Sequence, residues 1–208
     1  MLLKTLVKVS AVNNLSDARY CAGMGVPLIG LPLDTNYPVH ITPVQFKAIT
    51  QWIQGISLVG ELQHPDLATI QATLNNFQLA YLQVDHPIDP TLLASLDIPV
   101  LIRILWQGHE NFEEQKKLLA LYSPFATYFL IETIATNPAT ISKLQKQLEQ
   151  LAVFFPIIQG FNITTTHISY LVDKTRIQGI GLQGGTEIKP GYKDFDDLAT
   201  ILALLTVA

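Results

Sequence analysis

The sequence predicts an α/β chain folded as one (β/α)8 (TIM) barrel, and three observations carry that expectation. Short apolar runs recur along all 208 residues, each followed by a turn and a longer stretch with helical spacing. The apolar runs do not alternate with polar residues, the pattern of strands covered on both faces by helices in a parallel sheet. Eight such units fit the chain, which favours a compact closed barrel over an open doubly wound sheet.

The first unit is a strand over Leu6 to Ser10 and a helix over Ser16 to Met24, and the second a strand over Leu28 to Leu33 and a helix over Pro43 to Gln54. Ile56 to Glu61 and Ala80 to Val84 read as the third and fourth strands, followed by helices over Pro65 to Asn75 and Pro90 to Leu96. Val100 to Leu105 and Tyr128 to Glu132 are the fifth and sixth, with helices over Asn111 to Leu121 and Pro138 to Gln150. Val153 to Ile158 and Ile177 to Leu182 complete the strands, with helices over Thr165 to Val172 and Phe195 to Leu205. Thr42-Pro43, His64-Pro65, Asp89-Pro90 and Asn137-Pro138 each put a proline at or near a helix start, where its missing N–H costs nothing. No linker or low-complexity tract interrupts residues 1–208, so a single domain is expected.

Composition narrows the function classes. Hydrophobic residues make up 49% of the chain and charged residues only 14%, which excludes disorder and requires a large core. Thirteen Lys and Arg face 17 Asp and Glu, for a net charge of −4, and never form a basic run; neither nucleic acid nor an anionic membrane is an expected partner. One cysteine, Cys21, allows no internal disulfide, and it reads as a buried helix residue. No stretch of about 18 apolar residues could span a bilayer, and Met1 to Lys8 is too short for a signal peptide, so a cytoplasmic protein is expected. No Cys/His spacing suggests a metal site, and no cofactor is implied.

In a (β/α)8 barrel the ligand sits at the carboxyl ends of the strands, which here bring Lys8, Ser10, Asp34, Glu61, Asp85, His86, Arg103, Glu132, Gln159, Gly160, Gln183, Gly184 and Gly185 to one mouth. Lys8 and Ser10 are two apart on one strand and face the same side. Gly160 after the seventh strand and Gly184-Gly185 after the eighth fall where many barrels bind phosphate through backbone N–H groups, and a plain turn explains them equally well. Glu132 reads as a functional carboxylate or as the partner of Arg103 or Lys8, with Asp85 and Glu61 in the same network. Asp17 reads as a helix cap or dipole partner, and Trp52 and Trp106 as packing residues.

Two segments resemble the phosphoribosylanthranilate isomerase family of tryptophan biosynthesis. The stretch from Val7 through Lys8, Ser10, Ala11 and Asn14 to Ala18 resembles the family's VKICGITNLEDA, and Gln159-Gly160-Phe161-Asn162 resembles its SGGLN. Gly184-Gly185-Thr186-Glu187, with Pro190-Gly191-Tyr192-Lys193-Asp194 after it, resembles SSGVE and PGKKD, while Leu82-Gln83 echoes VQLHG. The resemblance implies an aldose–ketose isomerase of (β/α)8 fold working as a monomer or homodimer on a phosphorylated sugar, by an Amadori rearrangement. It implies Ser10 and Lys8 at the base position, Glu132 at the acid position, and Gly160, Asn162, Gly184, Gly185, Arg103 and Asp85 around phosphate and substrate.

The chain departs from that pattern where the chemistry lies. Ser10 stands for the cysteine that serves as general base, and Glu132 for the aspartate that serves as general acid. A cysteine can be tuned into a base near neutral pH, whereas a serine needs a neighbour to take its proton, and Lys8 could do so only when neutral. The extra methylene of glutamate displaces its carboxyl beyond what a catalytic hydrogen bond tolerates without rearrangement. Val39 stands for the arginine of SPRYI, Asp85 for the histidine of VQLHG, and Ala135-Thr136-Asn137-Pro138 replaces a GGTGK loop. Three readings stay open: a working isomerase, a non-catalytic barrel that binds a sugar phosphate or a partner, and altered chemistry at an acidic mouth with a divalent ion.

Overall fold

A computed structural model describes residues 2–184, 186–189, 192–194 and 196–207, with no side-chain description for 186–189 and 192–194. Eight strands, β1 (Leu6–Ser10), β2 (Leu28–Pro32), β3 (Ser57–Leu62), β4 (Tyr81–Asp85), β5 (Val100–Trp106), β6 (Ala126–Thr133), β7 (Ile157–Gln159) and β8 (Gly179–Gln183), form a closed parallel barrel in sequence order. Closure is by β8 on β1, in register from Leu6 opposite Gly179 to Ser10 opposite Gln183. The helices α1 (Leu15–Gly23), α2 (Pro43–Thr50), α3 (Leu67–Asn76), α4 (Pro90–Leu93), α5 (Phe112–Tyr122), α6 (Pro138–Leu151), α7 (Ile168–Lys174) and α8 (Asp196–Leu205) alternate with them. The expected (β/α)8 fold is what the chain adopts.

The lack of alternation in the strands comes from two cores sharing one sheet. One parity of each strand, including Val7, Val9, Ile29, Ile102, Ile104, Phe129 and Ile131, packs outward with Ile49, Ile70, Leu119, Leu144 and Leu202 of the helices. The other parity points into the barrel, where Leu28, Val59, Leu101, Leu130 and Ile158 form a separate apolar layer over Leu6, Tyr81 and Tyr128. Two residues further along the same strands the interior becomes polar, with Lys8, Glu61, Gln83, Arg103 and Glu132. Burying that layer's hydrocarbon holds the strands at fixed spacing beneath the mouth.

The helix starts follow from capping chemistry. Thr42 and Gln45 form a reciprocal capping box with Pro43 in the first turn, and Asn111 and Glu114 form a second. Asn137 accepts from the N–H groups of Ala139 and Thr140, and Asn14 from that of Asp17, at 2.9 Å. Pro65 differs from the expectation: it precedes the cap Asp66, whose carboxylate accepts from Thr69, so α3 starts at Leu67.

Other boundaries move for local reasons. The strand expected over Val153 to Ile158 shrinks to β7, because Phe154 and Phe155 donate back to Leu151 and prolong the turn of α6, leaving Val153 and Phe154 exposed. Turns at Trp52 and Ile53, then Gly55 at a φ of 75°, end α2 before Gln54 and leave Trp52 65% exposed, so it is not a packing residue. Trp106, 2% exposed, is one. After β8 the chain forms an unforeseen antiparallel hairpin, β9 (Thr186–Lys189) and β10 (Tyr192–Asp194), before α8. Among the described residues no helix is long and apolar enough to cross a membrane.

Candidate active site

Two charge networks occupy the barrel mouth. On the β1 side Lys8 is fully buried, and its Nζ donates to Glu61 Oε1 at 2.5 Å and to Ser10 Oγ at 2.7 Å. The other carboxylate oxygen of Glu61 accepts from the N–H of Ala11 at 3.1 Å. Gly30 makes this pair possible: a Cβ there would lie 1.9 Å from Glu61 Oε1 and 2.8 Å from Lys8 Nζ. Ala11, opposite the glycine of VKICG, sits at a φ of 57°, in the left-handed region that favours glycine. Its turn aims that N–H back at Glu61.

On the β4 to β6 side Arg103 joins two carboxylates. Its Nη1 donates to Asp85 Oδ2 and its Nε to Glu132 Oε2, both at 2.7 Å. Burial opposes the guanidinium charge, yet Glu132 and then Asp85 more than offset it and raise its pKa. Burial also dominates at Asp85 and lifts its carboxyl above the ordinary range, against the pull of Arg103. Glu132 Oε1 accepts from the Gln183 amide at 3.1 Å, so both oxygens are engaged. Above the mouth Tyr37, in the connection from β2 to α2, is half-buried; burial, then the Glu61 and Asp85 carboxylates, push its phenol far up and keep it a hydrogen-bond donor.

The structure therefore separates groups that the sequence placed in one network. Lys8 pairs with Glu61, not with Glu132, and Arg103 with Asp85 and Glu132. Ser10 and Glu132 still flank one stretch of the mouth, because Ser10 lies in register with Gln183, whose amide reaches Glu132.

The glycine corner is tighter than expected. The N–H of Gly160 donates to Ile131 O at 2.8 Å and that of Gly184 to Ser10 O at 2.9 Å, so both amides close the barrel rather than point at a ligand. A Cβ at Gly160 would meet Glu132 Cγ at 2.7 Å, so this glycine gives the Glu132 side chain its room. Asn162, at a φ of 53°, turns its amide toward Gln145 of α6, 3.5 Å away, rather than into the mouth. Gln159 is spent on Gln145 and on Phe161 O. Gly185 lies outside the described residues.

Among the described residues no three His, Cys, Asp or Glu side chains converge as a metal site, which gives the divalent-ion reading no support. Sequence reasoning missed Tyr37, three residues past Asp34 in the connection from β2 to α2, where nothing in the sequence pattern shows that the segment folds back toward Glu61 and Asp85. It also missed Gln83, buried on β4 with its Oε1 unpartnered. The two-residue spacing to Asp85 could have flagged Gln83 as facing the same interior.

Fold and charge placement together define a (β/α)8 barrel with its candidate site at the carboxyl ends of the strands. No family model matches the chain. Over 205 residues, 98% of this chain and 99% of the relative, it is 20% identical to the N-(5'-phosphoribosyl)anthranilate isomerase of Maridesulfovibrio salexigens. The crystal structure of phosphoribosyl anthranilate isomerase from Thermotoga maritima superimposes with a TM-score of 0.77 at 18% identity, over 95% of this chain and 97% of that one. A phosphoribosyl anthranilate isomerase solved with reduced 1-(o-carboxyphenylamino)-1-deoxyribulose 5-phosphate gives a TM-score of 0.73, also at 18% identity, over 95% and 96% of the two chains. Four N-(5'-phosphoribosyl)anthranilate isomerases match nearly the whole chain at 20–23% identity, so the chain is similar, at a distance, to these proteins.

Proposed function

We propose that this chain is a phosphoribosylanthranilate isomerase-like barrel that binds a phosphorylated sugar at its mouth and no longer performs the family's isomerisation. One observation carries the reading: both catalytic positions are committed to internal partners. Ser10 Oγ accepts a hydrogen bond from Lys8, which itself pairs with Glu61, so Lys8 is placed as a donor rather than as the base that would activate a serine. Both Glu132 oxygens act as acceptors, from Arg103 and Gln183, and neither is placed to give a proton to a leaving ring oxygen.

The ligand class rests on the full-length likeness to the isomerases and on the sequence match at Gly160, Asn162, Gly184 and Gly185, of which the Gly160 and Gly184 amides serve barrel closure and Asn162 faces Gln145, so the likeness is its main support. Glu61, Asp85 and Glu132 outnumber Lys8 and Arg103, so the phosphate belongs away from them, on the β7 to β8 side of the rim. Residues 1–208 act as one domain in this reading, in the cytoplasm, as a monomer or homodimer, with no cofactor and no nucleic-acid or membrane partner.

The test follows the fluorescence of freshly made phosphoribosylanthranilate with the native protein and with Ser10→Cys/Glu132→Asp, beside thermal melts with ribose 5-phosphate. No native turnover is expected, together with a raised melting temperature; a ligand at 100 times its Kd adds about 2.7 kcal/mol. Turnover by the native protein would overturn the loss of chemistry and favour the working-isomerase reading, which the shared stretch of mouth between Ser10 and Glu132 supports. A melt unmoved by the sugar phosphate would remove the ligand.

A further inference from the structure

Outside the mouth, between β5 and α5, lies a cavity of about 210 Å³. Its polar lining is unusual in what it lacks. Gln115, on the inward face of α5 and 2% exposed, has no hydrogen-bond partner for either its Oε1 or its Nε2. Trp106, at the end of β5 and also 2% exposed, has none for its indole N–H. Leaving such groups dry and unpaired costs about 1–3 kcal/mol each, and native cores hold few of them, so three around one small cavity call for an occupant.

The walls say what kind of occupant. Leu105 and Leu118 are apolar. Glu110 accepts from the N–H groups of Gln107 and Gly108, and Glu114 from that of Asn111, so neither offers a free donor, and both bring negative charge that repels a carboxylate. His86 stands T-shaped on Tyr122 with ring centroids 5.5 Å apart, and burial, then His64, lowers its pKa and favours the neutral ring. A cavity of about 150 Å³ accepts benzene, so this one suits a ring bearing one small substituent.

We infer that the β5/α5 cavity is a second ligand site, for a small, flat, neutral carboxamide or lactam. The Gln115 side chain presents a donor and an acceptor side by side, the complement of an amide edge, and the Trp106 N–H meets a further acceptor on the ring. The site is independent of the sugar-phosphate reading, since it shares none of Lys8, Ser10, Arg103 or Glu132.

Nicotinamide, with an amide edge and a ring nitrogen, is the probe, and the indole N–H resonance of Trp106 in ¹H–¹⁵N spectra of a Trp52→Phe variant is the readout. A saturable shift is expected, with a Kd near about 1 mM or tighter. Nicotinate should bind at least about tenfold more weakly, as should nicotinamide to Gln115→Leu, which loses the amide pair. Leu118→Phe, which fills the cavity and keeps both polar side chains, should abolish the shift. A resonance that nicotinamide does not move, or moves equally in Gln115→Leu, overturns the site. So does a melting temperature lowered by Gln115→Leu, because that would show the amide paired inside the protein, whereas removing an unpaired buried amide leaves it unchanged or raised.

Discussion

The two halves of the barrel mouth use the same chemistry at different depths. Lys8 and Glu61 show side-chain exposures of 0% and 3%. Arg103 is 26% exposed and its partners Asp85 and Glu132 are 9% and 12% exposed. The first network can change only if the barrel changes. The second can trade a hydrogen bond for water or for a ligand. The two candidate positions are thus divided unequally: Ser10 is tied to the buried pair and Glu132 to the partly exposed cluster.

The largest test of that division is Lys8→Met. It strands Glu61 as a buried charge and should cost about 3–5 kcal/mol in urea unfolding, most of it returning in Lys8→Met/Glu61→Leu, where no charge is left unpaired. A single-variant loss below about 1 kcal/mol would show that the pair is hydrated and erase the contrast. Arg103→Gln should cost less, about 1–2 kcal/mol, because water reaches the carboxylates it leaves behind. An equal or greater loss than for Lys8→Met would reverse the ranking of the two halves.

The third test is one of pH. Because burial raises the Asp85 carboxyl in the folded state, the unfolded chain ionises first as pH rises past about 4. The native protein should therefore lose stability relative to Asp85→Asn from there up to the folded value, and hold a constant difference above it. A difference that grows in favour of the native protein over that range would mean that Arg103, not burial, governs the site. The smallest effect is that of Ala11→Gly, which relieves the left-handed alanine and should stabilise by about 0.5–1 kcal/mol. A loss would show that the methyl packs usefully at the rim.

The barrel was legible in the sequence because its apolar runs had no alternation, and β1 matches its expected span from Leu6 to Ser10. Val153 and Phe154 misled because an apolar pair in an exposed turn has the composition of a strand end. The hairpin Thr186–Lys189 with Tyr192–Asp194 went unseen because its segments are short and carry no apolar run. The charged mouth was legible as a set of residues, and its pairing was not: the choice between Arg103, Lys8 and their carboxylates depends on which neighbouring strand leaves room, and Gly30 and Gly160 decide it. Gln115 was readable, since it stands four and seven residues before Leu119 and Tyr122 on the buried stripe of α5. A polar residue in that register was the signal.

Gly30, Lys8 and Glu61 also constrain how the chain can diverge further. The volume a side chain at Gly30 would need is already filled by the carboxylate of Glu61, and that carboxylate stays only while Lys8 is opposite. Single steps away from any of the three pass through a damaged barrel, whereas joint replacement does not. In descendants of this sequence the three positions, on three consecutive strands, should be inherited as one epistatic unit, while Asp85, Arg103 and Glu132 drift one at a time.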